Sequence, residues 1–212
     1  MKNNVTFLTT PEANINVDVN KQKQFTTDDL NTLIAIRSTA AHPNIYGSKA
    51  PSGIKYRKTT LIDLNLIEDN NEWFSQLARI SVNPKINDIQ EDIIRNGWNL
   101  AELPVHVMEG ENGKFVVLEG RTRFSIAKAL GMKNIIADVF DNTTLANALR
   151  FAISCNAQKK PYGEASVKDI RKVILKLVSM PVVEGGIDST AEDFAELVRE
   201  EILDITTKLK PK

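Results

Sequence analysis

The apolar positions of this chain change their period several times, and each change marks the edge of an element. Phe115-Val-Val-Leu118 is an unbroken β-branched and aromatic run with the composition of a buried strand, and Gly120 breaks it. Phe124, Ile126, Ala127 and Leu130 then recur at helical spacing, which predicts a helix over Thr122 to Leu130 packed on that strand. Gly131 sits where a left-handed residue closes such a helix. The apolar run Asn134 to Phe140 follows at once as another strand. The expected order is strand, glycine turn, helix, strand.

Upstream, Val5 to Leu8 and Ile15 to Val19 have the length of short strands, or belong to a loosely held arm. Thr27 reads as a helix cap with Asp28 and Asp29 in the first turn, and Leu30, Leu33, Ile34 and Arg37 continue the helix, which ends before Pro43. Leu61 to Ile67 predicts a strand. Trp73, Phe74, Leu77 and Ile80 share one helical face, and Ile86, Ile89, Ile93 and Ile94 form the apolar side of a second helix closed by Gly97. Pro104 to Met108 is the next strand. Asn112-Gly113 is a strong hairpin signal, so the Val105 and Val116 strands should pair. Downstream, Thr144 to Ala157 and a segment through Val167, Ile170, Ile174 and Leu177 read as helices. Pro181 to Gly186 is expected to be a flexible connector, and Ser189 with Glu192 a capping box that opens a last helix through Phe194, Leu197, Ile202 and Ile205. The divisions are an arm, helix and basic loop (1–60), a central core (61–140) and a helical C-terminal region (141–212).

Composition narrows the function. With 42% apolar and 25% charged among 212 residues, the chain can build a substantial core. Lys+Arg and Asp+Glu are both 27, so there is no global basic field of the kind that dominates strong non-specific nucleic-acid binders. Any polyanion contact must be local. Cys155 is the only cysteine, which excludes an internal disulfide and any cysteine-rich zinc site. No apolar run approaches the ~20 residues of a membrane span. With no signal peptide, a cytoplasmic protein with no membrane partner is expected.

Three stretches carry candidate chemistry. At the glycine turn, Gly120 lets backbone approach a ligand, the first free N–H groups of the helix point outward, and Arg121 and Arg123 add guanidinium forks. That is an address for phosphate, although two solvated arginines would read the same way. Tyr46 to Lys58 combines glycines, a proline, tyrosines and the cations Lys49, Lys55, Arg57 and Lys58. It is either a solvated surface loop or a track along a nucleic-acid backbone with its tyrosines stacked on bases. His106 alternates with Val105 and Val107, which fits a hydrogen-bonded structural histidine better than a metal ligand, since only His42 could join it.

Taken together, Asp88 to Phe140, with Gly97, the Leu103-Pro104-Val105 strand, the hairpin, Glu119-Gly-Arg-Thr-Arg123, Leu130-Gly131 and Ile135-Ile-Ala-Asp-Val139, resembles the core of the ParB/sulfiredoxin superfamily. The resemblance to the ParB N-terminal domain extends to Cys155-Asn-Ala-Gln-Lys159, placed after a helix as that family's Glu-Asn-x-Gln-Arg segment is. It implies an α/β (α+β) fold, a small mixed sheet with flanking helices and a helical C-terminal region, that binds a nucleotide (ATP, ADP or CTP) with Mg²⁺. By similarity Gly120, Arg121, Thr122 and Arg123 would hold the phosphates and Asn156 would help place Mg²⁺, with Gln158 and Lys159 nearby. The chain also departs from the pattern. CTP-binding ParB proteins carry Gly-Glu-Arg-Arg where this chain has Gly120-Arg121-Thr122-Arg123, and an acidic residue where it has Cys155. Glu119 matches instead the acidic-Gly-x-x-Arg form of the broader superfamily, including serine-kinase-like members that use ADP. Sulfiredoxin needs a cysteine in this turn, and none is present.

The resemblance therefore implies Mg²⁺-dependent nucleotide hydrolysis or phosphoryl transfer, with Glu119 as the candidate catalytic residue. The alternatives are a non-enzymatic DNA-binding or partition-accessory protein of phage or plasmid type using Lys49, Lys55, Arg57 and Lys58, a ParB-like nuclease, and a domain that has lost its ligand and serves in protein association. The sequence leaves the oligomeric state open.

Overall fold

The computed structural model describes residues 16–17, 24–39, 54–68, 86–100, 104–158 and 167–207. In chain order these form β1 (Asn16–Val17), α1 (Thr27–Thr39), β2 (Tyr56–Asp63), β3 (Ile67–Glu68), α2 (Ile86–Asn96), β4 (Trp98–Asn99), β5 (Val105–Glu109), β6 (Phe115–Glu119), α3 (Arg121–Ala129), β7 (Asn134–Phe140), α4 (Leu145–Gln158), α5 (Val167–Val178) and α6 (Phe194–Thr207). A five-stranded mixed sheet runs in the order β2-β7-β5-β6-β3, and β1 pairs with β4 in a separate two-stranded ladder. The hairpin pairs β5 with β6 antiparallel, while β7 returns parallel to β5 through α3.

The sheet is covered on both faces, which is why its central strands read as continuous apolar runs. One face carries Val105, Val107, Val117, Ala137 and Val139 against Phe124, Ile126 and Ala127 of α3, together with Leu33, Ile93 and Trp98. The other carries Met108, Val116, Leu118 and Phe140 against Ala148, Leu149, Phe151 and Ala152 of α4, with Ile174 and Leu177 of α5 behind them. Each fully buried aliphatic or aromatic side chain here contributes roughly 1.5–3 kcal/mol. Among the described residues no helix is long and apolar enough to cross a membrane.

Several expectations need correction. Thr26, not Thr27, caps α1: its hydroxyl and backbone N–H both donate to Asp29, and the Asp29 N–H donates back to the Thr26 hydroxyl. The strand expected from Leu61 begins at Tyr56 instead, so the last residues assigned to the basic loop lie on sheet edge β2, and Leu64–Leu66 is a 3-10 turn. Pro181 to Gly186 is a hydrogen-bonded turn, with the Gly185 and Gly186 N–H groups donating to Val182 and Pro181 and the Gly185 carbonyl accepting from Arg150. The last helix starts at Phe194, beyond the anticipated capping box, because Asp188 instead caps Thr190 and the Asp193 carbonyl accepts the first helical bonds. The segments expected as a strand at Val5 to Leu8 and a helix at Trp73 to Ile80 lie outside the described residues.

Candidate functional site at the β6–α3 junction

β6 ends at Glu119, and the chain enters α3 through Gly120 at φ 93°, ψ 21°. A Cβ on Gly120 would lie 3.2 Å from the Val105 Cα and 3.2 Å from an Arg123 guanidinium nitrogen. The backbone neighbour cannot give way, and the left-handed conformation is itself unfavourable for an L side chain, so this position requires glycine. The Gly120 carbonyl accepts the Phe124 N–H at 2.9 Å, which closes the first turn of α3.

Around this turn the arginines are anchored rather than splayed into solvent. One Arg123 nitrogen donates to both Glu119 oxygens, at 3.2 and 2.9 Å, and the other to the Pro104 carbonyl at 3.1 Å. Arg123 is mostly buried, with a side-chain exposure of 18%. Burial pushes the Arg121 guanidinium down to about 10, and the nearby Glu119 charge partly offsets this. A buried guanidinium disfavoured in its charged form gains when an anion arrives, which is the electrostatic character of a phosphate site.

Glu119 is also the end of a polar row that crosses four strands. Thr59 of β2 pairs with Asp138 of β7, Asp138 with His106 of β5, and His106 with Glu119 of β6. The row depends on a bulge. His106 is opposite Glu119 while Val107 is opposite Val117, so Leu118 is an extra residue. Leu118 and Glu119 therefore both serve the α4 face, where the His106 ring meets Phe140 and Phe151 edge-on at 5.7 and 5.5 Å. The Thr59 hydroxyl donates to Asp138 at 2.6 Å and is 2.7 Å from the Tyr56 hydroxyl. His106 Nε2 is 3.4 Å from Asp138 and Nδ1 3.3 Å from Glu119; the latter is a close polar contact rather than an aligned hydrogen bond.

The structure thus brings Glu119, Gly120, Arg121 and Arg123 together, with Thr122 between the two arginines on the first turn of α3. Asn156 and Gln158 fall within the last turn of α4, so the second box begins inside a helix, and Cys155 is buried in the layer that contains Leu118. Lys159 and Lys49 lie outside the described residues. Lys55, Arg57 and Lys58 are exposed at the start of β2, but Arg57 is already paired with Asp141 and Glu109. Among the described residues no cluster of three or more His, Cys, Asp or Glu side chains forms a metal site. Reading residue by residue missed Asp138 and the shared role of His106; the available signal was a polar residue at an inward position of an otherwise apolar strand.

No protein-family profile matches the chain, and no curated protein does. Among solved structures, the Pnob8-like ParB-N domain superposes with a TM-score of 0.52 at 12% identity, over 73% of this chain and 66% of that one. The chain thus spans just under two thirds of that domain's length. C-terminally truncated chromosome-partitioning protein ParB from Caulobacter crescentus matches in two forms. The form complexed with CTP-gamma-S has a TM-score of 0.40 at 18% identity, over 72% of this chain and 77% of that one. The form complexed to the centromeric parS site has 0.38 at 16%, over 71% and 70%. The mixed sheet and its helices have the fold of a ParB N-terminal domain.

Proposed function

We propose that the β6–α3 turn binds the phosphates of a nucleotide. The observation that carries this reading is the left-handed Gly120, pressed against Val105 and the Arg123 guanidinium, beside an arginine that Glu119 and the Pro104 carbonyl hold in one orientation. A guanidinium fixed before the ligand arrives loses less entropy on binding than a free one. Glu119 in this arrangement is first the residue that orients Arg123. Hydrolysis or phosphoryl transfer is a further proposal, in which Glu119 accepts a proton from the attacking group.

The residues present fit a nucleotide better than an all-protein metal site. Mg²⁺ would be held chiefly by phosphate oxygens and water, with Asn156 as the candidate protein ligand. The exposed Lys55 and Lys58, next to a bulge between Tyr56 and Lys58 on an edge strand, support a weaker second reading, contact with a DNA backbone.

Thermal unfolding with CTP, ATP and ADP, each with Mg²⁺, tests the proposal. A ligand at ~100 times its dissociation constant should add about 2.7 kcal/mol of stability. No stabilisation by any of the three, at concentrations up to several millimolar, would sink it.

A further inference from the structure

We propose that His106 is an imidazolium in the folded protein and acts as the positioning residue of the phosphate turn, linking a proton in the sheet to the anion affinity of Arg121 and Arg123. This rests on the phosphate reading above and deepens it.

The proton assignment follows from which atoms donate. Asp138 is fully buried, one of its oxygens accepts the Thr59 hydroxyl at 2.6 Å, and the other faces His106 Nε2 at 3.4 Å. With Thr59 donating to Asp138, the Tyr56 hydroxyl 2.7 Å away donates to Thr59, and this inward run of donors favours Asp138 as a carboxylate. At the other end both Glu119 oxygens accept from Arg123, so Glu119 is also a carboxylate, and its Oε2 lies 3.3 Å from His106 Nδ1. An imidazole lone pair aimed at either carboxylate would be repelled, whereas N–H groups on both nitrogens are attracted to both.

The groups around the ring agree. β6 contributes Glu119 and β7 contributes Asp138, with Thr59 and Tyr56 of β2 behind Asp138. The ring also meets Phe140 of β7 and Phe151 of α4 edge-on, and both are apolar. Beyond Glu119 stand Arg123, bonded to it, and Arg121, which feels its charge. With His106 protonated, these two carboxylates and three cations leave one net positive charge beside the turn. With His106 neutral they leave none. Asp138 would then lose the charged N–H at its second oxygen, and Glu119 Oε2, which also accepts from Arg123, would lose the His106 charge beside it. Anion binding and the His106 proton therefore favour each other, and by linkage each strengthens the other to the same degree.

The test reads the ring directly, in the intact chain and without ligand. Ring-nitrogen NMR of ¹⁵N-histidine-labelled protein, with His42→Gln to assign the two histidines, should show His106 doubly protonated at pH 8, where an ordinary imidazole with a pKa of ~6.5 is neutral. Asp138→Asn should lower its titration midpoint by about one pH unit or more. Inorganic pyrophosphate should then bind about tenfold more weakly above the His106 midpoint than below it, the order expected when one charge leaves a partly buried site. A singly protonated His106 at pH 8 overturns the proposal even if pyrophosphate binds. A doubly protonated ring whose titration leaves pyrophosphate affinity unchanged overturns the positioning role. Pyrophosphate that binds at no pH overturns the phosphate reading and that role with it, while the ring spectrum still decides the proton. The wild-type spectrum suffices if Asp138→Asn fails to fold.

Discussion

The two faces of the central sheet differ by a single step along each strand. On the α3 face, Val107, Val117, Ala137 and Val139 build an apolar layer, although Trp98 in the same cluster buries its indole N–H. On the α4 face, the neighbouring positions hold the buried His106, Glu119 and Asp138 and the half-buried Thr59, with the His106 ring against Phe140 and Phe151. Both faces exclude water, but they respond differently to the loss of one member. Removing a methyl group from the first leaves a cavity. Removing one charge from the second leaves its partners buried and unpaired, which costs more than the pair itself contributes. A row of this kind stabilises little compared with a well-packed apolar layer, so its placement at the mouth of the Gly120 turn points to use rather than stability.

The largest expected effect separates the faces. Glu119→Ala should destabilise by about 3–5 kcal/mol, since Arg123 and His106 both lose their carboxylate. It should also abolish nucleotide binding. Ile135→Ala on the apolar face should cost a similar 2–5 kcal/mol through its cavity, yet leave affinity unchanged once the protein is folded. Chemical denaturation paired with ligand titration checks this, and equal losses of affinity in the two variants would erase the distinction. Glu119→Gln is the milder probe: if Glu119 is a base, turnover falls by ~10²–10⁴ with affinity within a few fold, and unchanged turnover leaves it only the task of holding Arg123.

Most of the apolar face was legible in the sequence, and most of the polar row was not. Phe115 to Leu118, Phe124 to Leu130 and Asn134 to Phe140 announce themselves because period and composition are local properties. The glycine turn was equally plain, since Gly120 separates a strand pattern from a helix pattern. The row joins residues as far apart as Thr59 and Asp138, 79 positions, and exists only because the ladder register and the Leu118 bulge align them. His106 read alone is a structural histidine. Local rules also failed where two good signals competed: Thr26 and Thr27 can both cap a helix, and Asp29 three residues after Thr26 decides it. The start of β2 was hidden by its lysines and by the glycine and proline before it, which read as loop although an edge strand tolerates exposed cations well.

Next in size is the turn itself. Gly120→Val should lose about 1–3 kcal/mol to the left-handed backbone and the contact with Val105. Phosphate affinity should vanish, because the side chain fills the approach to the turn.

Arg121 gives the opposite sign. Its folded-state value of about 10 lies below the ordinary 12.5, so the charged form is penalised by burial and the cost is fully present below about pH 10. It is relieved only as the native state releases the proton ahead of the unfolded chain above that pH. Arg121→Met should therefore raise ligand-free stability at pH 7 by about 1–3 kcal/mol while weakening phosphate binding. A variant that is both less stable and still able to bind would show that Arg121 serves packing and not the anion.

The smallest effect concerns the sheet edge at Lys55, Arg57 and Lys58. These side chains are exposed, and Arg57 already meets Asp141 and Glu109, so it has little charge to offer a second anion. With formal net charge zero there is no long-range field to reinforce them, and any DNA contact should be sequence-indifferent and roughly micromolar. Each phosphate neutralised steepens the fall of log K with log salt by about 0.9. Lys55→Ala with Lys58→Ala should then reduce the slope by about two such steps, whereas Arg57→Ala changes it by less than one. The stability of the sheet should respond little to the lysine changes, since both side chains are exposed. Fluorescence anisotropy with a short duplex across a salt series separates the cases, and a slope unmoved by the double lysine variant would assign DNA contact to another surface.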